Sequence, residues 1–252
     1  MIEFENATRK YGDKVAVDDL NLLVPAGELF AFLGPNGAGK TTSIKMLVGL
    51  LRPTSGTVRV GGYDVTLHHR EAASLLGYVP EDVSLYDKLT GREFLHFVAG
   101  MYGLDDSAAR RSADRQIDAF VMGEFVDHLT ESYSHGMRQR LAFAAALLHD
   151  PEVLVVDEPM VGLDPRTARN VKDLLRAQAA AGKTVFISTH SLSVAEEIAD
   201  RLAILDRGRL RSVGTLEGLR KELASHNSSL EQMFLEATGG AASAGKNEPA
   251  AG

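Results

Sequence analysis

The sequence predicts an α/β fold with a largely parallel sheet, and the first observation behind this prediction is an alternation of patterns. Short apolar runs, each bounded by turn or charged residues, alternate with amphipathic helical stretches. Such runs are typical of strands that are buried on both faces. They lie at residues 29–33, 153–156, 185–187 and 202–205. Strands that alternate with helices in this way give a parallel sheet.

The second observation is apolar spacing on three predicted helices. The first helix carries Ile44, Leu47, Val48 and Leu51, the second Met137, Leu141, Ala145 and Leu148, and the third Val171, Leu174 and Leu175. Each set falls on one helix face at the 3.6-residue period. Asp164 is a good N-cap and Pro165 suits the first helical position, so we expect the third helix to begin there.

The third observation concerns two regions outside this alternation. Residues 2–24 and 56–65 are rich in Val, Leu and Thr and contain turn breaks, which predicts an antiparallel β element at the N-terminal side. The region 88–150 has no convincing strand and is rich in Ala, Leu, Arg and Asp. We therefore expect an inserted helical subdomain there.

The resulting organisation is one domain over residues 1–238, with the core at about 1–87 and 151–238. The tail 239–252 is dominated by Gly, Ala and polar residues and cannot bury enough apolar surface to order itself. We expect it to be disordered.

Composition excludes several classes of function. The 252-residue chain is 44% hydrophobic and has a formal net charge of −7, which argues against binding to nucleic acid. It contains no Cys, so a thiolate nucleophile or Cys-ligated zinc is impossible. The start of the chain is polar, and the apolar runs are far shorter than the ~20 residues that span a bilayer. We expect a cytoplasmic protein whose membrane role, if any, depends on a partner.

A glycine-rich stretch between the first buried run and the first helix predicts a phosphate pocket. It fits the pattern G-x-x-x-x-G-K-S/T, in which backbone N–H groups and a helix N-terminus surround phosphate oxygens. Lys40 should reach the β- and γ-phosphates of ATP, and the Thr41 hydroxyl should bind Mg²⁺. The predicted nucleotide-binding residues here are Gly34, Pro35, Asn36, Gly37, Ala38, Gly39, Lys40, Thr41 and Thr42.

Two adjacent acids follow the buried run 153–156. Because this position lies at the carboxyl edge of the sheet, the Asp157 carboxylate can meet Mg²⁺. Glu158 can then polarise the attacking water. Two acids after a buried strand are costly unless they serve an ion or a proton, so we assign them to hydrolysis.

The stretch Tyr-Ser-His-Gly-Met-Arg-Gln-Arg at 133–140 resembles the signature motif of ABC (ATP-binding cassette) transporter ATP-binding subunits. The resemblance covers about residues 2–238 and implies a RecA-like P-loop NTPase core. From the residues alone, Ser134 is a plausible N-cap of the helix that follows, with an N-terminus able to bind an anion. The resemblance implies that Ser134 and Gly136 contact the γ-phosphate of ATP held by a second subunit.

Three further positions match elements of that family, and two positions depart from its pattern. The resemblance implies that Tyr11 stacks on adenine, that Asp164 belongs to the loop crossing the dimer interface, and that His190 senses the γ-phosphate. Glu81 stands where the family usually has a Gln that binds Mg²⁺. His135 replaces the first Gly of the signature pair, and a helical first-turn conformation would tolerate it.

The resemblance implies a Mg²⁺-dependent ATPase that drives transport by head-to-tail dimer closure. The implied partners are a polytopic membrane permease and a second ATP-binding subunit, with a homodimer favoured. The wording of residues 133–140 and a helix expected at 229–235 are similar to the branch that serves ABC-2-type exporters. Two alternatives remain: a soluble ABC-type ATPase in DNA repair or translation, and a regulatory module that binds ATP without turnover. The cargo is not specified by these residues.

Overall fold

The computed structural model describes residues 1–225 together with Gln232 and Phe234. Apart from these last two residues, the helix expected at 229–235 lies outside the described part of the chain, and so does the tail 239–252. The described residues form two sheets and eight α-helices. The predicted α/β fold class is confirmed.

The larger sheet has six strands in the order β10-β9-β3-β8-β7-β6. Its strands are β3 Leu29–Leu33, β6 Leu76–Val79, β7 Val153–Val156, β8 Thr184–Thr189, β9 Arg201–Asp206 and β10 Arg209–Thr215. Five strands pair in parallel, whereas β10 pairs with β9 in the antiparallel sense. Every residue of β3, β7 and β8 is buried, as expected for strands covered on both faces.

The sequence patterns did not predict β6 and β10. Strand β6 ends at Val79, so the segment that carries Glu81 begins at Pro80. The strand is short and contains Gly77, where a Cβ would come within 2.3 Å of the Ala146 carbonyl oxygen. Residues 76–79 form a strand because they pair with β7. The local apolar pattern gives no sign of this pairing. Strand β10 was missed because it lies at the sheet edge, where its residues are at most half-buried.

The smaller sheet is antiparallel and has the order β2-β1-β4-β5. Its strands are β1 Ile2–Tyr11, β2 Lys14–Val24, β4 Ser55–Val60 and β5 Tyr63–Asp64, which confirms the predicted N-terminal antiparallel element. The pairing of β1 with β2 is irregular near its end. Arg9 pairs with Val17 and Lys10 with Val15, so Ala16 forms a bulge in β2. A bulge of this kind redirects the backbone of the strand that carries it.

The eight helices are α1 Lys40–Leu47, α2 His69–Ser74, α3 Gly91–Met101, α4 Asp106–Ala119, α5 His135–Ala146, α6 Pro165–Ala180, α7 Leu192–Ile198 and α8 Leu216–Ser225. Helix α1 is shorter than its apolar spacing predicts, because the chain takes a left-handed conformation at Gly49. Leu51 therefore lies beyond the helix, although it still packs against the core. Likewise Leu148 lies just past the end of α5. Among the described residues, no helix is long and apolar enough to cross a bilayer.

Helices α3, α4 and α5 pack around a separate apolar cluster that includes Leu95, Ala113 and Leu141. Helix α3 begins with a capping box in which Thr90 and Glu93 bond each other's backbone N–H groups. The Tyr133 hydroxyl donates a 2.9 Å hydrogen bond to the Phe125 carbonyl, which fixes the chain just before α5. His135 is the first residue of α5 and has no left-handed backbone, so the substitution of His for Gly is tolerated there.

Candidate functional site

The phosphate loop joins β3 to α1 and is held from three sides by backbone contacts. Gly34 donates its N–H to the Thr189 carbonyl of β8 at 3.2 Å. A Cβ on Gly34 would lie 2.4 Å from the Leu205 carbonyl oxygen. Gly39 has φ of 108°, and a Cβ there would lie 2.5 Å from the carbonyl oxygen of the bulged Ala16. These contacts require glycine at both ends of the loop and fix its path.

Lys40 begins α1 and is almost fully buried, with 6% of its side chain exposed. Its ammonium donates hydrogen bonds to the Gly34 carbonyl at 2.8 Å and to the Pro35 carbonyl at 3.3 Å. It also pairs with Glu158 Oε1 at 3.2 Å. The ammonium is therefore held inside the loop by carbonyl oxygens and one carboxylate.

Glu158 connects the residues that the sequence marks as catalytic. Its Oε1 faces Lys40, and its Oε2 lies 3.0 Å from His190 Nδ1. Glu158 has φ of 49°, a left-handed conformation that costs energy for a non-glycine residue. Its N–H donates to Ser188 Oγ at 2.9 Å, which holds this conformation. The fold thus brings Lys40 and His190 together around the Glu158 carboxylate.

Asp157 directly follows β7 and is more deeply buried than Glu158, with 2% of the residue exposed. It accepts a hydrogen bond from the Ser188 hydroxyl and interacts with the Thr41 hydroxyl at the start of α1. Burial raises its pKa above the ordinary range, and the hydrogen bonds from Ser188 and Thr41 oppose this. A carboxylate beside a hydroxyl is an oxygen donor set that Mg²⁺ prefers, so the residues present fit that ion.

A cavity of 560 Å³ opens in front of the phosphate loop. Eight residues predicted to bind nucleotide or metal line it: Tyr11, Asn36, Gly37, Gly39, Lys40, Thr41, Thr42 and Glu81. Glu158, predicted to be catalytic, lines it as well. Gly34 and Ala38 also belong to the loop, but both are buried and neither lines the cavity. Burial, followed by the charges of Asp157 and Glu81, raises the pKa of Tyr78 to about 12.

Ser134, Gly136 and Asp164 lie elsewhere, around a second cavity of 650 Å³. Ser134 caps α5 by accepting the Met137 N–H at 3.4 Å. Asp164 caps α6 by accepting the N–H groups of Arg166 and Thr167, both at 3.0 Å. Among the described residues, none lines both cavities. The predicted nucleotide contacts are thus divided between two separate surfaces of the chain.

Comparison with known proteins identifies the family. The model of the ABC transporter family matches residues 17–161, which span the phosphate loop, α5 and both acids after β7. The chain belongs to the ABC transporter family. It is an ATP-binding and ATP-hydrolysing subunit of that family.

Relatives and solved structures agree with this assignment. The chain is 42% identical over 225 residues to the daunorubicin/doxorubicin resistance ATP-binding protein DrrA of Streptomyces peucetius, covering 89% of this chain and 68% of DrrA. Among curated relatives the covered share of the relative's own length runs from 41% to 72%. A solved ATP-binding subunit of an ABC transporter superposes with a TM-score of 0.86 at 30% identity, covering 94% of this chain and 99% of that one. The dimeric cassette MJ0796, bound to ADP and Pi after hydrolysis, gives 0.77 at 27% identity, covering 86% of this chain and 99% of that one.

Four residues that line the 560 Å³ cavity were not predicted: Lys14, Val15, Ala16 and Arg207. Arg207 lies in the turn between β9 and β10, and Gly208 in the same turn donates its N–H to the Ala38 carbonyl at 2.8 Å. The turn therefore packs directly on the phosphate loop. The bulge at Ala16 brings β2 to the same place. Neither contact has a signal in the sequence, because each joins segments that are far apart along the chain.

The buried Asp157 carboxylate predicts a pH-dependent gain in stability for Asp157→Asn in metal-free buffer. An acid with a raised pKa in the folded state costs no stability below its ordinary pKa, where both states are protonated. The cost is complete above the raised folded-state pKa, where both states are ionised. We therefore expect Asp157→Asn to raise the Tm by a few degrees at pH 7 and to give no gain near pH 3. Thermal melts across this range measure it, and an equal gain at every pH would contradict the burial argument.

Proposed function

We propose that this subunit binds Mg-ATP and closes head-to-tail on a second copy to drive a separate membrane permease. The observation that carries the proposal is the division of nucleotide contacts between two cavities. Lys40 and Glu158 border one cavity, whereas Ser134 and Gly136 border the other. Because a helix N-terminus with exposed N–H groups attracts an anion, the α5 terminus would hold the γ-phosphate of ATP bound to the partner copy. The dimeric state of MJ0796 supports this arrangement.

The chemistry of hydrolysis consists of positioning and charge stabilisation. A triphosphate entering the loop competes for the three donors of Lys40, which now bond two carbonyls and Glu158 Oε1. Once Lys40 turns to the phosphate, Oε1 is free to accept a proton from the attacking water. His190 stays beside Oε2 and keeps the carboxylate oriented. Thr41, Asp157 and Glu81 are the residues that would hold Mg²⁺, which when bound neutralises charge on the β- and γ-phosphates.

An exposed aromatic surface near the ATP cavity suits the permease contact. Tyr86 and Phe97 pack edge-to-face with ring centroids 5.4 Å apart, and both rings are exposed. Met101, one turn after Phe97 on α3, is 74% exposed. The segment 80–86 runs from Glu81 in the ATP cavity to this surface. Motion at the nucleotide would therefore reach Tyr86, Phe97 and Met101 over a short stretch of chain.

The permease proposal predicts that Phe97→Glu reduces capture of the membrane partner. The charge replaces an exposed ring that would be buried on docking, which costs about 1–3 kcal/mol of binding, or roughly 5- to 150-fold in affinity. The measurement is co-purification of a polytopic membrane protein with the tagged subunit from detergent-solubilised membranes. Val213→Glu is a matched control, since Val213 is also an exposed apolar residue but lies on β10, the opposite sheet edge from β6.

Two outcomes would contradict the proposal of a permease partner that docks on this surface. Equal capture by both variants would exclude the Tyr86–Phe97 surface as the docking site. An active subunit from which no polytopic membrane protein is captured would exclude the transport role itself. Basal ATP hydrolysis by the isolated Phe97→Glu subunit should match that of the unsubstituted protein, because Phe97 lies outside the ATP cavity.

Further features of the proposal come from the family comparison. A permease partner places the subunit on the cytoplasmic face of the membrane. The name of DrrA, a resistance ATP-binding protein for two drugs, supports export over import. We also propose that residues 1–238 form one ATP-binding domain, with the helical subdomain at about 88–150. Pairing with a second identical copy is favoured because the chain carries both halves of the divided site.

A further inference from the structure

Arg9 lies against the ring that the proposed function assigns to adenine. The Arg9 guanidinium carbon is 4.7 Å from the centroid of the Tyr11 ring, within the range of a cation–π contact. Arg9 and Tyr11 are two residues apart on β1, an interval that puts side chains on the same face of a strand. Tyr11 lines the ATP cavity and is 46% exposed, so one part of its ring is covered by the protein and another part is open.

Arg9 is itself bonded to the segment that follows α1, the helix after the phosphate loop. Its Nη1 donates a 2.9 Å hydrogen bond to the Arg52 carbonyl, in the segment that follows α1. Neighbouring bonds join the same two segments: Lys10 N–H donates to Thr54 Oγ1 at 3.0 Å, and Thr54 N–H to the Thr8 carbonyl at 2.7 Å. Arg9 Nε is buried and has no hydrogen-bond partner among the described residues. Contact with the ring and one carbonyl thus set the position of the guanidinium.

From these contacts we infer that Arg9 is a positioning residue for the nucleobase, acting through Tyr11. The guanidinium covers one face of the Tyr11 ring and leaves the other face to adenine. It holds the ring at a fixed place relative to α1, and so relative to the phosphates at the N-terminus of that helix. A cation behind the ring also draws electron density from the open face, which favours stacking on an electron-rich purine. This inference depends on the proposed adenine contact of Tyr11.

The test compares a ligand that has a base with one that has none. The probes are the β,γ-imido analogue of ATP and inorganic tripolyphosphate, each titrated by calorimetry. Arg9→Ala should weaken binding of the analogue about fivefold and leave tripolyphosphate unchanged, since one cation–π contact is lost and the phosphate loop is kept. Arg9→Lys, which keeps the charge but loses the planar stack, should give a smaller loss of about twofold. In steady-state hydrolysis Arg9→Ala should raise KM and leave kcat unchanged.

A double-mutant cycle decides whether Arg9 acts through the ring. Adding Arg9→Ala to Tyr11→Ala should cause no further loss of analogue binding. Arg59→Ala is the matched control, because Arg59 also lies on the antiparallel sheet but pairs with Glu3 and Glu5 away from the cavity. That variant should bind both probes normally.

Each other outcome overturns the inference in a recognisable way. An equal loss for both probes would show damage to the phosphate loop or the fold. If Arg9→Ala weakened analogue binding about fivefold in the Tyr11→Ala background as well, Arg9 would act independently of the ring. If no Arg9 variant weakened analogue binding, Arg9 would have no role in it. If Tyr11→Ala itself binds the analogue normally, the adenine assignment of the proposed function is wrong, and the inference about Arg9 is overturned with it.

Discussion

Replacing Glu158 by Gln is expected to reduce phosphate release from Mg-ATP by at least about 100-fold while ATP binding is retained. Among the residues that the structure describes, both Lys40 and His190 contact this carboxylate, at 3.2 Å and 3.0 Å. A Gln side chain has the same shape and can still bond His190, but it cannot take a proton from water. Because hydrolysis would reopen the closed pair, the variant should also accumulate as a dimer when ATP is added. Phosphate release and light scattering after size exclusion measure the two effects.

The matched control is Glu152→Gln. Glu152 is exposed and precedes β7, whereas Glu158 follows that strand at its other end. This control removes a carboxylate next to the same strand without touching the cavity, so its hydrolysis and its oligomeric state should match those of the unsubstituted protein. Hydrolysis by Glu158→Gln within twofold of normal would show that another group acts as the base. If Glu158→Gln lost hydrolysis but did not dimerise with ATP, the assignment of Glu158 as the base would stand. The proposal of dimer closure would then be contradicted.

Local patterns predicted the parts of the fold whose cause is local. The bounds of β3 and β7 agree residue for residue with the apolar runs, because strands buried on both faces need apolar side chains at every position. The start of α6 at Pro165 was predicted as well, since Asp164 caps it and Pro suits its first position. Helix α1 ended early because Gly49 turns the chain, although apolar spacing continues to Leu51.

The arrangement of the site depends on contacts between distant segments, and the periodicity of apolar residues does not predict such contacts. Motifs indicated Lys40, Glu158 and His190 separately, but their meeting at one carboxylate follows from β7 and β8 lying side by side. The same holds for Arg207, brought to the phosphate loop by the β9–β10 turn, and for the Ala16 bulge. The cation behind Tyr11 is a tertiary contact too, since its position depends on the Arg52 carbonyl 43 residues away. Sequence motifs therefore predict which residues carry the chemistry, whereas strand order and bulges determine which of these residues line the same cavity.

The division of the site between two copies predicts recovery of activity when two inactive variants are combined. Lys40→Met removes the phosphate-binding ammonium from one cavity, and Ser134→Arg blocks the α5 N-terminus beside the other. Each variant alone should lose about 100-fold or more of its hydrolysis. In a mixed pair, Lys40 of the Ser134→Arg copy faces Ser134 of the Lys40→Met copy, so one site is intact. A mixed dimer purified through two different tags should then recover up to about half of normal activity, as two-fold symmetry gives two equivalent sites.

The control combines Ser134→Arg with Gly136→Arg. Both substitutions block the α5 surface, so every site in that mixed pair faces a blocked helix N-terminus and activity should stay at background. Recovery in this control would mean that exchange between tags, or residual activity of one variant, explains the first result. If instead Ser134 served the ATP of its own chain, each copy of the Lys40→Met and Ser134→Arg pair would keep its own defect. Activity would then stay at background in both mixtures, and the two cavities would belong to a site that closes within one chain.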